Sequence, residues 1–316
     1  MTEPAAHPTI PAAPPARRDA GPALAGSIPE EAREFYRRAL AALDEARVPF
    51  LVAGAYAFAH YTGIERHTKD FDVFLRPEDV ELAHRALGAI GCEIDRYSPH
   101  WLSKALHGEL YVDLIHSSGN GIAEVDDLWF VHAAAGKVLG REVRLCPAEE
   151  MIWSKAFIME RERFDGADVA HLLHACGAGL DWQRLLDRFG EHWRVLLAHL
   201  VLFGFVYPDR RDTVPRWLVD DLAGRLRREG EEPPPEERVC RGTLVSRSQY
   251  LYDVEQLGYG DGRLPPAGTM SRWELDRWRE RTRREVPEAE AVPREDDEAE
   301  GRAGGEGRGA PAAPGR

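Results

Sequence analysis

Apolar and polar residues alternate along Asp70-Phe71-Asp72-Val73-Phe74-Leu75, a period of two that predicts a strand over 70–75. Side chains on a strand alternate between faces. Asp70 and Asp72 therefore share one face, with Cα atoms about 6.5–7 Å apart, and Phe71, Val73 and Leu75 bury on the other. Upstream, residues 29–46 read as a helix with Pro29 near its start and Phe35, Leu40 and Leu43 on one side. Pro49 to Ala53 reads as a short buried strand ending at Gly54, with a helix over 55–62. Downstream, Arg76-Pro77 opens a helix whose stripe is Val80, Ala83, Leu87 and Ile90, stopped by Gly91. Strands follow over 92–96, 101–107 and 109–115, and a strand pair near 137–146 precedes Pro147. From there the pattern is helical, over 147–161, 166–176, 181–188, 191–206, 216–228 and 247–257. The expected class is α/β, with a mixed α/β domain over 28–146 and a helical domain over 147–265. No internal repeat is visible.

Composition changes this picture mainly at the ends. Residues 1–27, rich in Ala and Pro, read as a disordered leader. Net charge is −13, and residues 285–300 carry eight acids and one arginine of it. That stretch and the Gly/Arg/Pro/Ala run to Arg316 hold too few apolar residues to fold, so 285–316 reads as a disordered tail. The remainder is only mildly acidic. It has no broad basic stripe of the kind that grips nucleic-acid backbones, which argues against a large nucleic-acid partner. No apolar run approaches the ~18–20 residues of a membrane span. Cys92, Cys146, Cys176 and Cys240 form no CxxC and suggest reduced thiols in a cytoplasmic protein.

The candidate chemistry lies on the strand over 70–75. Two carboxylates on one face repel unless something positive lies between them, and the usual answer is a hard cation such as Mg²⁺ together with a phosphate substrate. Asp113 sits mid-strand between apolar neighbours in Tyr111-Val112-Asp113-Leu114, a costly place for a carboxylate without a partner. Lys155 falls on the apolar stripe of Met151, Ile152, Ala156 and Met159. Either an anion meets it there, or its stem packs while the amine snorkels to water. Asp165 suits the N-cap of a helix from Gly166, with Asp168 as its first-turn acid. His171, His174 and Cys176 fit no standard zinc spacing. No role is assigned to His67.

The ordered set of strand, Gly turn, helix, strand with Arg66-x-Thr68-x-Asp70-x-Asp72 and later strand with a third Asp resembles the nucleotidyltransferases of the DNA polymerase beta-like superfamily. Downstream, Pro147, Lys155, Arg163, Asp165 and Asp168 resemble a segment of the minimal and toxin-type branches. The likeness covers about 47–176. It implies a mixed-sheet nucleotidyltransferase domain followed by helices, in which Asp70, Asp72 and Asp113 hold Mg²⁺, or Mn²⁺ in its place. Asp113 also helps to deprotonate the acceptor. Gly54 and Ala55 form the phosphate turn, and Arg66, Thr68 and Lys155 contact the nucleotide. The family turn usually carries Ser or a second Gly where this chain has Ala55, which removes a hydroxyl from the phosphate grip.

The expected activity is transfer of a nucleoside monophosphate from an NTP, by default ATP, to an acceptor hydroxyl with release of pyrophosphate. The acceptor classes left open are a small molecule such as an aminoglycoside, a tRNA end, or a protein side chain. A nucleotide-binding module without catalysis, and a toxin-like regulator with an antitoxin partner, are the alternatives. Along Cys240 to Asp253, Ser246 or Ser248 caps a helix, or Arg241, Arg247 and Tyr250 line an acceptor pocket; the sequence leaves both open.

Overall fold

In the computed structural model, which describes residues 28–66, 68 and 70–285, the first layer of the molecule is a sheet. The expectations for 1–27, His67 and 286–316 lie outside the described residues. Helix α1 (Glu30–Glu45) leads to β1 (Leu51–Val52), α2 (Gly54–Thr62), β2 (Phe71–Phe74) and α3 (Val80–Ala89). The meander β3 (Glu93–Ser98), β4 (Leu102–His107) and β5 (Leu110–Ile115) follows, then α4 (Asp127–Val131) and the hairpin β6 (Ala134–Val138) and β7 (Arg141–Leu145). The seven strands lie in the order β3-β4-β5-β2-β1-β7-β6. β2 is antiparallel to β1 and parallel to β5, and β1 is parallel to β7, so the sheet is mixed.

The alternation on β2 survives folding. Phe71, Val73 and Leu75 are fully buried, while Asp72 and Phe74 are half-buried on the other side. Tyr36 of α1 stacks on Phe71 at 4.9 Å between ring centres, and Tyr56 of α2 packs on the same ring at 4.8 Å. This apolar layer fixes the strand's facing, because a one-residue slip would bury both carboxylates in it.

After β7 come α5 (Ala148–Ala156), α6 (Gly166–Cys176), α7 (Trp182–Phe189), α8 (Trp193–Val206) and α9 (Arg216–Glu231). The predicted helix over 147–161 therefore ends at Ala156. Met159 leaves its stripe and bridges to Phe164, with its N–H donating to the Val245 carbonyl. Glu150 of α5 is fully buried and accepts from Arg184 and Arg188 of α7, while Arg188 also pairs with Asp126 before α4. This charge network ties the helices to the end of the sheet. The stretch Trp182–Val206 has the length and apolarity of a membrane span, contrary to the sequence expectation, but the chain turns at Gly190 with φ +47° and divides it into α7 and α8.

The last segment differs most from expectation. Strands β8 (Val239–Cys240) and β9 (Gly260–Asp261) form a small parallel pair around the short helix α10 (Leu251–Glu255). The predicted helix over 247–257 shrinks to those five residues. Ser246 accepts from the Gln249 N–H at 3.2 Å. A further helix, α11 (Arg272–Glu285), carries the ordered fold past the expected limit at 265. It is closed at its start by a reciprocal cap, in which the Ser271 N–H donates to Glu274 and the Glu274 N–H to Ser271 Oγ.

Candidate active site

The sequence-predicted acids gather on one face of adjacent strands. Asp72 of β2 stands opposite Asp113 of β5 in the parallel register. Lys104 of β4 stands opposite Asp113 and donates to its Oδ1 at 2.7 Å. Tyr111, two residues before Asp113 and therefore on the same face, donates through its hydroxyl to Asp70. Lys104 lies over the Tyr111 ring at 4.2 Å. Sequence reasoning missed Lys104 and Tyr111. The same period-two rule that paired Asp70 with Asp72 would have placed Tyr111 beside Asp113.

Gly54 opens α2 against these acids. Its φ is +55°, and a Cβ built there would lie 1.7 Å from Asp72 Oδ2. Glycine is required twice over, by backbone conformation and by the approach of the carboxylate. The Ala53 N–H donates to the Asp72 carbonyl at 3.0 Å, which binds the turn to the strand. The opening N–H groups of α2 lack helical partners, so the turn presents donors beside the carboxylates.

Burial, then repulsion from Asp113 and Asp70, pushes the Asp72 carboxyl up to about 7, with Lys155 and Lys104 working the other way. Burial likewise raises Asp113, and its hydrogen bond to Lys104 opposes this. Among the described residues no group of three His, Cys, Asp or Glu side chains is gathered as metal ligands would be. Lys104 and Tyr111 hold Asp113 and Asp70 toward separate partners, which relieves the like-charge crowding. The donor set still suits Mg²⁺: three carboxylates supply hard oxygen ligands, and the crowding that raises Asp72 is what a divalent cation removes.

The remaining predicted residues form a second, adjoining cluster. Lys155 finds its anion within the protein, bridging Asp165 and Asp168 at 2.8 Å each. Asp165 holds the N-cap position of α6 but makes no side-chain cap; its carboxylate instead accepts from Arg163 at 2.9 and 3.0 Å as well as from Lys155. Burial would raise Asp165, but Arg163 and Lys155 outweigh it and hold the group below the usual carboxylate range. Arg66 pairs with Asp168 at 2.5 Å and lies over the Phe58 ring. Thr68 spends its hydroxyl locally, donating to the Asp70 carbonyl at 3.1 Å and accepting from the Asp70 N–H at 3.2 Å, so it shapes the entry to β2. Ala55 follows Gly54 as the second residue of α2.

Several solved structures are similar to part of this chain. They include the solution structure of the antibiotic-resistance factor ANT(2'')-Ia, 18% identical with TM-score 0.40, covering 54% of this chain and 98% of that one. The lincomycin-bound lincosamide antibiotic adenylyltransferase LnuA is 16% identical with TM-score 0.33, over 46% and 96% of the two chains. An antigenic nucleotidyltransferase-like protein from Paracoccidioides brasiliensis is 12% identical with TM-score 0.38, over 58% and 92%. No family model and no curated protein matches the chain.

Proposed function

We propose that the chain is a metal-dependent nucleotidyltransferase that moves a nucleoside monophosphate from an NTP to an acceptor hydroxyl. The observation that carries this reading is the register of Asp72 with Asp113 beside the Cβ-free turn at Gly54. It sets two carboxylates, with Asp70 two residues before Asp72, next to backbone N–H groups that open a helix, the complement of a polyphosphate with its counter-cations.

The acceptor oxygen forms a bond to the α-phosphorus, the bond from that phosphorus to the bridging oxygen breaks, and pyrophosphate leaves with the electron pair. Asp113 takes the acceptor proton, and Lys104 beside it holds the carboxylate in place. Gly54 and Ala55 offer backbone N–H groups to the phosphates. Asp70, Asp72 and Asp113 would hold Mg²⁺, which when bound neutralises the triphosphate and makes the acceptor hydroxyl more acidic. Lys155, Arg163 and Arg66 form a cationic wall in which Asp165 and Asp168 balance two of the three charges, so their main role is to position the wall beside the phosphates.

One observation favours a second reading. Lys104 neutralises Asp113 as a cation would, which is the arrangement expected of a nucleotide-binding module without catalysis. The two are separated by incubating the protein with each labelled NTP, Mg²⁺ or Mn²⁺, and a cell extract, then with an aminoglycoside, a lincosamide and tRNA. Label in a product together with released pyrophosphate supports transfer. Bound nucleotide without pyrophosphate release supports the module.

A further inference from the structure

Helix α8 carries no acid and a single arginine, and it is apolar on both sides. Trp193, Leu196, Leu200 and Phe203 bury into the helical core. On the opposite side Arg194, Ala198, Val201, Leu202 and Phe205 follow one another at helical spacing, and all five are exposed. Among the described residues Phe205 is the most exposed of the large apolar side chains, at 83%. Val206 extends the patch at the helix end. Phe164, also exposed, stacks on His199 with ring centres 6.2 Å apart, one turn from Leu202, and widens it on that flank. A helix that is apolar all round is normally covered on every side. Together these side chains present apolar surface on the order of 500 Å². A stable interface takes roughly 800 Å² from each partner, about 65% of it apolar where two copies of one chain meet, so the patch supplies what one side needs.

We propose that this face is covered by the same face of a second copy of the chain, the two α8 helices crossing antiparallel about a two-fold axis between Val201 and Leu202. The face complements itself in shape. Positions 198 and 205 are equidistant from that axis, so the Phe205 ring of each copy enters the gap above the partner's Ala198. Its ends are also balanced in charge. Arg194 pairs with Glu229, and past the other end Asp209-Arg210-Arg211-Asp212 is neutral in sum. Two copies therefore meet without like-charge repulsion, although the whole chain carries −13. An anionic membrane calls for an excess of Lys or Arg around an apolar face, which these ends lack. The sequence before 28 and after 285 is sparse in large apolar side chains, with Ile10, Leu24, Val286 and Val292 among the few, and has little to lay across the patch.

Sedimentation velocity of the full chain at micromolar concentration tests the pairing, independently of any transfer activity. Wild type should sediment at twice the chain mass. Phe205→Glu and Val201→Glu should each sediment as monomers with unchanged circular dichroism, because both side chains face solvent in the single chain. Trp273→Glu, at an exposed apolar position on α11, should remain dimeric. Cysteine pairing reads the direction of crossing. Val201→Cys lies beside the axis and should cross-link to its own copy at least tenfold faster than Ala198→Cys, which stands about 10 Å from its copy along the helix. A monomeric wild type overturns the proposal, and so does a dimer that both Glu variants leave intact. Equal cross-linking at 198 and 201 overturns the antiparallel arrangement. A monomer that floats with phosphatidylcholine–phosphatidylserine vesicles, and loses this in Phe205→Glu, replaces the second copy with a lipid surface.

Discussion

Gly54 and Asp72 occupy each other's space: the Oδ2 of Asp72 lies 1.7 Å from where a Cβ on Gly54 would stand. The turn and the acid were selected together by geometry, since the only side chain that lets the carboxylate reach the opening of α2 is a hydrogen atom. Gly54→Ala should cost at least about 2 kcal/mol, from the positive φ and the collision combined, lowering Tm by several degrees. In an Asp72→Ala background the clash with the carboxylate is gone; a tight 3.1 Å contact with the Cβ of residue 72 and the backbone cost of about 1 kcal/mol remain. Thermal melts of the four proteins measure this coupling; strictly additive costs would contradict it.

Asp72→Asn separates function from stability. Burial and the neighbouring acids push Asp72 up to about 7, so at pH 7.5 its charge is held at a cost. The amide relieves that cost, and Tm in metal-free buffer should rise, by an amount worth on the order of 1–3 kcal/mol. Transfer should fall by at least ~10². Mg²⁺ should raise the Tm of the wild type and not of the variant. A destabilised Asp72→Asn that still responds to Mg²⁺ would remove Asp72 from the metal site.

Lys155 is a bridge between two buried acids, and its loss should register in stability before it registers in binding. Lys155→Met leaves Asp165 with Arg163 and Asp168 with Arg66, each carboxylate one partner short. A loss of about 2 kcal/mol is expected, with Lys155→Arg retaining most of the stability. Denaturant titration decides the point. A Met variant as stable as wild type, with weakened nucleotide affinity, would return Lys155 to the phosphate site.

His116 should make the protein acid-sensitive above the carboxylate range. Burial, then His100 and His84, lowers its pKa from 6.5 to about 4. The unfolded chain therefore binds the proton first as pH falls, so stability is complete above about 6.5 and declines toward 4, by up to about 3 kcal/mol. Asp72 works in the opposite sense, because its folded pKa lies above its unfolded value. The informative quantity is the difference between wild type and His116→Gln. The variant should lose less stability between pH 6.5 and 4, and parallel curves would exclude His116 as the source.

The part of the fold legible in the sequence is the part governed by a single periodicity. The alternation around Phe71 and Val73 placed Asp70 and Asp72 on the open face, and the isolated acid at 113 came to lie opposite Asp72. What was not legible depended on partners distant in the chain. The stripe through Lys155 suggested a foreign anion because nothing local shows that Asp165 and Asp168 fold back to it. Helix α11 is densely charged, which obscured its buried line of Leu275, Trp278 and Thr282. The spacing of Ser271 and Glu274 was its readable signal, a capping box ahead of that line.

The parallel pairing of β2 with β5 carries a consequence for how the protein is made. Tyr111 and Asp70 are 41 positions apart, with α3, β3 and β4 between them. Such long-range closure is entropically slower than the local pairing of the intervening meander. A nascent chain that has emerged only through β2 carries Asp70 and Asp72 but not Asp113. On the proposed reading, capture of Mg²⁺ by the three acids waits for completion of the sheet, so bound metal would report maturation of the domain.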